Sequence, residues 1–240
     1  APLCRRVTPG STVALVVSDM SRFWMRQDLV VPHLVDYLTQ RCGVRERDIT
    51  IVIANGTHTG GDEAELRTLV TDAVYDRITV ENHDCESEDL VYLGTTPHGT
   101  PVSINRTAAL ADMVICLGAA THHVMAGFGG GRKSILPGIS GRETIFHNHA
   151  FSLDAAALRS NPAVGNGILQ GNPLHEDMCE AAGLVKNLFM VNLVMNTQMR
   201  LAAIFSGHYL TSWEQACRTV NRIYQVDVPR KADVVITSCG

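Results

Sequence analysis

"STVALVVSD", residues 11–19, decides the fold class, because its five central residues are all apolar. A short, nearly continuous apolar run is typical of a strand that is buried on both faces of a parallel sheet. "DITIVIANG" (48–56) and "LADMVICLGAA" (110–120) repeat this pattern. The three runs therefore predict the central strands of a parallel sheet.

Helical patterns alternate with these strands. "VPHLVDYLTQRCG" (31–43) has apolar residues at helical spacing and closes on Gly43, and "DEAELRTLVTDAVYDR" (62–77) has acidic residues in its first turn. We predict further strands in 78–83, 188–196 and 200–207, and a hairpin in 91–105. We also predict helices near 141–158, 174–186 and 212–224, and a loop at 160–173. This alternation predicts an α/β fold with a doubly wound, mainly parallel sheet flanked by helices.

The composition is that of a globular protein and argues against several kinds of partner. Of the 240 residues, 45% are hydrophobic and 18% are charged, and the net charge is −4. Because there is no basic excess and only 5% of residues are aromatic, we expect no nucleic-acid partner. No apolar run reaches membrane-spanning length and no signal peptide opens the chain, so we expect no membrane partner. Seven scattered cysteines without a C-x-x-C motif are typical of reduced thiols in a cytoplasmic protein.

Both ends of the chain suggest a domain of a longer protein. Residue 1 is not Met, and the last ten residues, "KADVVITSCG", look like an apolar strand that runs into a turn. We expect residues 1–230 to form a cofactor-binding α/β domain. Residues 231–240 would begin the connection to a C-terminal domain that this chain lacks.

"AGFGGGRKSILPG" (126–138) places four glycines in five positions and follows them with Arg132, Lys133 and Ser134. Such glycine density allows sharp bends or a very close approach, and a basic pair beside exposed backbone N–H groups favours a phosphate. Neither the Walker A pattern nor the dinucleotide fingerprint fits, because Arg132 stands where each requires a glycine. From these residues alone, an unusual phosphate loop and a flexible surface loop with two solvated cations both remain open.

Polar segments follow three of the predicted strands. They are "SDMSR" (18–22), "NGTHTG" (55–60) and residues 118–134. Ligands of doubly wound sheets bind beyond the carboxyl ends of the strands, so we expect a ligand site where these segments meet.

The histidines near these segments are candidates for chemistry. His58 lies in a turn at a strand end, where it either bonds a backbone carbonyl or acts as a general base. His122 and His123 are adjacent, so we expect only one of them to face a shared site. His147 and His149 are about 200° apart around a helix, so again only one faces inward. The spacing alone gives little support to a metal site, because there is no H-E-x-x-H motif.

One long segment resembles a known family. "THHVMAGFGGGRKSILPGISGRETIFHNH" (121–149) is similar to the central signature of nickel-dependent lactate racemase and its relatives. That signature runs His-x-x-Ala-Gly-Phe-x-Gly-Gly-x-Lys-x-x-x-Pro-Gly-Ile and is followed by an Asn-His pair. "SDMSR" and "NGTHTG" also resemble family motifs, and the resemblance covers the chain from about residue 8 to its end.

The resemblance implies a cofactor. Family members bind a nickel pincer nucleotide, a pyridinium-3-thioamide-5-thiocarboxylic acid mononucleotide with nickel, which cofactor-synthesis enzymes supply. Lys133 would hold it covalently through a thioamide, and His149 would bind the nickel. The glycines would let the planar pincer lie against the backbone, where a Cβ would collide with it.

The resemblance implies further roles for residues at the strand ends. Asp19, Ser21 and Arg22 would hold the ribose and phosphate, helped by the backbone around Ser134 and Ile135.

The implied activity is racemisation or epimerisation of a 2-hydroxy acid such as lactate. Hydride would move from the substrate carbon to the cofactor and back, and His58 and His123 would serve as the paired acid/base groups. Histidine suits this role because its ordinary pKa lies near neutral pH. The family also takes substrate-binding residues from a C-terminal domain.

The sequence departs from the family at one motif and leaves other functions open. Phe23 and Trp24 follow "SDMSR" where the family usually has proline, so they either pack in the core or line a pocket for a bulkier substrate. Two alternatives are a nucleotide-binding module without catalysis, and a zinc hydrolase that uses the histidines and Asp19. The pair His58 and His123, together with Lys133, argues against the first, and the second predicts no thioamide adduct and no dependence on nickel.

Overall fold

A computed structural model describes residues 2–230 and 232–236. Within this part the elements are, in chain order, β1 Val13–Ser18, α1 Val31–Asp36, β2 Ile49–Ala54, α2 Glu63–Val70, α3 Asp72–Tyr75, β3 Thr79–Asn82, β4 Val91–Thr95, β5 Pro101–Ile104, α4 Arg106–Leu110, β6 Met113–Ala119, β7 His122–His123, β8 Gly127–Phe128, α5 Arg142–Ala150, β9 Leu153–Asp154, β10 Arg159–Ser160, α6 Pro173–Gly183, β11 Leu188–Met195, β12 Leu201–Gly207 and α7 Thr211–Tyr224. Short 3₁₀ helices include Met20–Met25 and Gly131–Ser134.

Six strands form the main sheet in the order β12-β11-β6-β1-β2-β3. The neighbours from β11 to β3 are parallel, and β12 pairs antiparallel with β11 at one edge. The prediction of a mainly parallel α/β sheet is confirmed. The chain runs from β1 outward to β3 and then returns to place β6 on the other side of β1. The strand order therefore reverses between β1 and β6, which is where sheets of this kind open a crevice for ligands.

Both faces of the sheet are buried, and alternate residues of each central strand face opposite ways. In β1, Leu15 and Val17 pack with α1 and α2, whereas Ala14 and Val16 pack on the other face with α4, α5 and α6. A third cluster covers the β11 end of the sheet, where Trp213 of α7 packs against Phe128. The continuous apolar runs arise because neither face of these strands meets water.

Four predicted helices differ from the structure. The helix expected over 31–43 is α-helical as far as Asp36 and continues as a π-helix over Tyr37–Arg41, and the helix expected near 174–186 ends at Gly183. The helix expected over 62–77 divides into α2 and α3 at Thr71, whose φ is +77°. Arg67 bridges the break, donating to Asp72 and Asp76. The helix expected near 141–158 ends at Ala150, and the chain continues into the short β9–β10 hairpin, in which the Asp154 side chain accepts from the backbone N–H of Ala157.

The remaining predicted elements agree with the structure or lie partly outside it. β4 and β5 form the antiparallel hairpin predicted for 91–105. The strand predicted in "KADVVITSCG" is absent from residues 232–236, and Lys231 and residues 237–240 lie outside the described part. Six described cysteines are free thiols. In the described residues, no helix combines the length and apolarity that crossing a bilayer requires.

Candidate functional site

A cavity of about 350 Å³ opens where β1, β2 and β6 end. This volume is within the range of small-molecule sites. Its lining residues are Ser18, Asp19, Arg22, Trp24, Met25, Ala54, Asn55, Gly56, Thr57, His58, Gly118, Ala119, Thr121, His123, Gly129, Gly130, Lys133, Ser134, Pro137, Gly138, Ile145, Phe146 and His149. The three polar segments that follow the predicted strands therefore meet in one site, as their positions in the sequence predicted.

The first wall of the cavity comes from the segments that follow β1 and β2. Asp19 begins the 3₁₀ helix Met20–Met25, and its Oδ2 lies 2.6 Å from Nδ1 of His58. The Ser21 hydroxyl donates to Asp19 Oδ1 over 2.6 Å, and Arg22 donates to the Ser21 oxygen over 2.6 Å. Because a carboxylate only accepts, His58 carries its proton on Nδ1 and leaves Nε2 to accept another. The sequence did not predict that Asp19 pairs with His58.

The second wall is the glycine loop between β6 and α5. A Cβ on Gly130 would lie 2.7 Å from the carbonyl oxygen of Ala119, and one on Gly131 would lie 2.5 Å from the ring of Trp213. Both glycines also have positive φ, +68° and +54°. The chain's own packing thus requires glycine at these two positions, a reason different from the cofactor contact that the resemblance implied.

Lys133 extends from this loop into the cavity. It forms no ion pair with any carboxylate in residues 2–230 and 232–236. Burial lowers the pKa of Lys133 to about 7, and the positive charges of Arg132 and Arg22 add to the effect. A large fraction of the amine is therefore neutral and nucleophilic near pH 7.

His123 faces the cavity with its Nδ1 turned towards the backbone. That atom accepts from the N–H groups of Met125 and Ala126 over 3.2 and 3.1 Å. Burial lowers the pKa of His123 to about 4, and Lys133 and Arg132 contribute. The neutral ring consequently carries its proton on Nε2, the opposite tautomer to His58.

His149 is the member of its pair that faces the cavity. Its Nδ1 lies 2.9 Å from the carbonyl oxygen of Ile145, which can only accept, so Nε2 is left with a lone pair. Burial lowers the pKa of His149. His147 points elsewhere, and its Nδ1 lies 3.0 Å from the Thr100 hydroxyl.

Of the adjacent residues His122 and His123, again only one faces the cavity. His122 does not line the cavity; its Nε2 lies 2.8 Å from the Asn221 side-chain oxygen, and its ring packs edge-on against Phe128. The prediction that one histidine of each pair faces a shared site is confirmed for His123 and His149.

Two of the predicted cofactor residues lie off the main cavity. Ser21 lines an adjoining depression beside Asp19 and His58. Ile135 is fully buried in the core, and its backbone N–H donates to the carbonyl of Arg132. Ser134, in contrast, lines the cavity itself.

The sequence left open whether Phe23 and Trp24 pack in the core or line a pocket, and the structure shows both kinds of contact. Each is partly buried against the core cluster on the α1 side of the sheet, and Trp24 also lines the cavity. From the sequence alone, Arg132 was expected to be either a phosphate ligand or a solvated surface cation. It is instead fully buried, behind the loop, and does not line the cavity.

A second polar cluster lies outside the cavity. His98, Asp177 and Glu180 place ligand atoms within 4.8 Å of one another. His98 Nδ1 pairs with Glu180 over 2.8 Å, and buried Asp177 accepts from the Thr96 and Thr100 hydroxyls and from the Asn148 amide. Because each charged group has internal partners, these contacts account for the cluster without a ligand.

Comparison with known proteins gives consistent matches. Residues 1–160 match the family described as "Lactate racemase N-terminal domain". A lactate racemase of Thermoanaerobacterium thermosaccharolyticum is 31% identical over 95% of this chain and 52% of its own length. One of Lactiplantibacillus plantarum is 28% identical over the same shares. The chain thus spans about half the length of the curated relatives it matches.

Solved structures agree with these matches. The lactate racemase apoprotein of T. thermosaccharolyticum superposes with a TM-score of 0.84 at 29% identity, covering 93% of this chain and 52% of that one. A crystal structure from Thermotoga maritima superposes with a TM-score of 0.72 at 20% identity, covering 92% and 57%, which is a likeness of fold alone.

Proposed function

The chain belongs to the lactate racemase N-terminal domain family, and from this premise we propose that it is the cofactor-binding part of a 2-hydroxy acid racemase or epimerase. The observation that carries the proposal is the grouping of Lys133, His123 and His149 in one cavity beside the Asp19–His58 pair. A nucleophilic amine, an imidazole with a free lone pair and two histidines of opposite tautomer match the parts that such a reaction needs.

The residues present fit a nickel pincer nucleotide. With its pKa lowered to about 7, Lys133 has a large neutral fraction at neutral pH, as acyl transfer to form a thioamide requires. His149 donates from Nδ1 to a backbone carbonyl, which is the usual way a protein orients a metal-binding imidazole with Nε2 towards the ion. An imidazole ligand also suits nickel. Lys133 would hold the organic part of the cofactor, and His149 would hold the metal.

Arg22 and Ser134 are the best placed groups for the nucleotide's phosphate. Both line the cavity, one from each wall. Arg22 is an always-charged donor suited to phosphate, and within the described part of the chain its side chain donates only to the Ser21 hydroxyl. We assign Asp19 chiefly to His58, because its carboxylate is already in contact with that ring.

When bound, the cofactor supplies a hydride acceptor and donor, and the chain supplies the proton transfers. His58 can take the hydroxyl proton of a 2-hydroxy acid at Nε2, and Asp19 stabilises the imidazolium that results. His123, as a neutral ring, can donate a hydrogen bond from Nε2 to the substrate oxygen on the other side, and it would act as an acid only after it takes up a proton. A change of enantiomer requires these roles to exchange, so His123 must also accept a proton, at the expense of its contacts to Met125 and Ala126.

The substrate class follows from the groups that face the cavity. His58 and His123 suit a hydroxyl group on the substrate, while Trp24 and Phe146 offer apolar surface. We propose a 2-hydroxy acid, lactate or a relative with a larger side chain, acting in a protein that also has the second half found in the longer relatives.

The test of the function is an intact-mass measurement. The protein is expressed together with the cofactor-synthesis enzymes, and Lys133→Ala and Lys133→Arg variants are prepared in parallel. We expect a mass adduct and cofactor absorbance in the wild type and neither in the variants, because guanidinium does not form the thioamide.

An adduct that survives in either variant would overturn the assignment of Lys133. A wild type without an adduct, and without dependence on nickel, would favour a non-catalytic nucleotide-binding module or a zinc hydrolase. Activity with zinc would then separate those two.

A further inference from the structure

Arg132 is a buried cation without an anionic partner. Its exposed fraction is 0%, yet in the described part of the chain it forms no ion pair. Two thiols lie near it, but burial raises the pKa of Cys179 to about 11 and of Cys217 to about 12, so both are neutral. Burying a charge is costly unless it has compensating partners, so this arrangement calls for an explanation.

The partners of Arg132 are the carbonyls of the glycine loop. Its two terminal nitrogens donate to the carbonyl oxygens of Ala126 and Phe128 over 2.6 and 2.7 Å, and a longer contact of 3.5 Å reaches Gly130. The planar guanidinium is suited to holding several acceptors at fixed angles. It therefore fixes the backbone that leads to Lys133.

Trp213 of α7 contacts the same loop. Its Nε1–H donates to the carbonyl of Gly129 over 2.8 Å, and its ring lies 4.0 Å from the Arg132 guanidinium carbon. The ring also occupies the space where a side chain at Gly131 would project. Stacking of a desolvated arginine on tryptophan is among the stronger cation–π contacts.

We propose that Arg132 and Trp213 form a clamp that positions the glycine loop, and through it the Lys133 amine, for covalent attachment of a ligand in the cavity. The ligand part of this proposal rests on the proposed function, but the clamp itself does not. Glycine-rich backbone has many accessible conformations, so a precise position for Lys133 must come from contacts outside the loop. Covalent chemistry depends on such positioning, since a displacement of about 1 Å can cost about a hundredfold in rate.

The test compares local opening of the loop with global stability. Trp213→Phe keeps an aromatic face but loses the Nε1–H donor, and Arg132→Lys keeps the charge but loses the planar fork. We expect amide hydrogen exchange in residues 127–134 of the full-length, cofactor-free protein to be at least about fivefold faster in both variants, the effect of losing one hydrogen bond. Exchange in the β1 and β6 strands should remain unchanged.

Matched controls are available in the same chain. Tyr224→Phe removes one side-chain bond from α7 to backbone, that of the Tyr224 hydroxyl to Met195, without touching the loop. Arg67→Lys removes a guanidinium that makes several hydrogen bonds and stacks on Tyr75 at 4.4 Å, far from the cavity. Both controls should leave exchange in 127–134 as in the wild type.

Loading supplies the second readout. In cells that make the cofactor, the fraction of molecules with an adduct on Lys133 should fall at least about fivefold in Trp213→Phe and remain normal in Tyr224→Phe. Unchanged exchange in 127–134 in Trp213→Phe would overturn the clamp, even if Arg132→Lys fails to fold. Faster exchange with no adduct in the wild type would support the clamp and count against the proposed function instead.

Discussion

The two walls of the cavity present the same residue type in opposite states. On the wall from β1 and β2, His58 is half exposed and is held by a carboxylate, Asp19. On the wall from the glycine loop, His123 is held by two backbone N–H groups and lies near the cations Lys133 and Arg132. The hydrogen-bond partner of Nδ1, rather than the residue type, decides which ring nitrogen of each neutral histidine carries the proton.

Because of this difference, one cavity contains a histidine Nε2 that can accept a hydrogen bond and another that can donate one. The carboxylate places the proton of a neutral His58 ring on Nδ1, and the two backbone N–H groups place that of His123 on Nε2, so the two rings present opposite tautomers before any substrate arrives. The predictions below test whether this contrast sets the chemistry.

Removing either ring should have the largest effect. In the full-length, cofactor-loaded protein, His58→Ala and His123→Ala should each lower racemisation turnover by about 10²–10⁴, the usual contribution of one general acid or base. Racemisation in either direction requires both rings, so steady-state turnover of each enantiomer is the measurement. Neither variant should lose nickel.

The control for that pair is His122→Ala, which removes a ring bound to Asn221 outside the cavity. It should cost little activity. An essential His122 with a dispensable His123 would show that the assignment is displaced by one residue, and two dispensable cavity histidines would exclude a two-histidine racemase.

Giving His58 the tautomer that His123 has should have the next largest effect. Asp19→Asn replaces an obligate acceptor by an amide that can donate to Nδ1 of His58, and so favours the tautomer that His123 has. We expect turnover to fall about a hundredfold, since a misplaced tautomer removes the base while the ring remains. Ser21→Ala, which leaves the carboxylate in place, should retain most activity.

Removing the proposed metal ligand should act on nickel before it acts on the organic cofactor. His149→Ala should retain the adduct on Lys133 while nickel content per protein, measured by elemental mass spectrometry, falls at least about tenfold. His147→Ala is the control, because that ring contacts Thr100 away from the cavity. The reverse result would mean that His147 is the ligand.

The smallest predicted effect is the pH dependence of Lys133 in cofactor-free protein. Because the pKa of Lys133 falls from 10.5 to about 7, the neutral amine should rise about tenfold between pH 6 and pH 8. Acetylation rates from peptide mass spectrometry, with Lys186 as an internal reference for the reagent, measure this rise. A rate at Lys133 that stays low until above pH 9 would contradict the buried environment.

The lowered pKa of Lys133 should also make the folded protein more stable as the pH rises. Between pH 7 and pH 10.5 the unfolded chain binds more protons at Lys133 than the folded one, so the free energy of unfolding should increase with pH over that range. Lys133→Met should reduce this increase, as measured by urea denaturation at several pH values.

The sheet could be predicted from the sequence because its signal is local. Strands buried on both faces, such as β1 and β6, read as unbroken apolar runs, and the polar segments after them necessarily share one edge. For the two histidine pairs, spacing alone predicted only that one member of each faces the site, whereas the family resemblance named His123 and His149, the two that line the cavity.

What the sequence did not predict depends on contacts between distant residues. The Asp19–His58 pair joins residues 39 positions apart, and the contact of Trp213 with Gly129 joins residues 84 apart. Arg132 looked solvated because charged residues usually are, and only the packing of α7 shows that it is buried. The early end of α5 and the β9–β10 hairpin after it were also missed.

The order of strands in the sheet also has a consequence for folding. β1 pairs with β2, about 36 residues later, and with β6, about 100 residues later, through the registers Val13↔Ile49 and Val13↔Met113. Pairing at such separation is slow, because long loops must close before any contact stabilises them. His58 and Lys133 reach their common edge only after both pairings form. The cavity is thus a late product of folding, so a ligand that binds there meets a chain whose central sheet is already assembled.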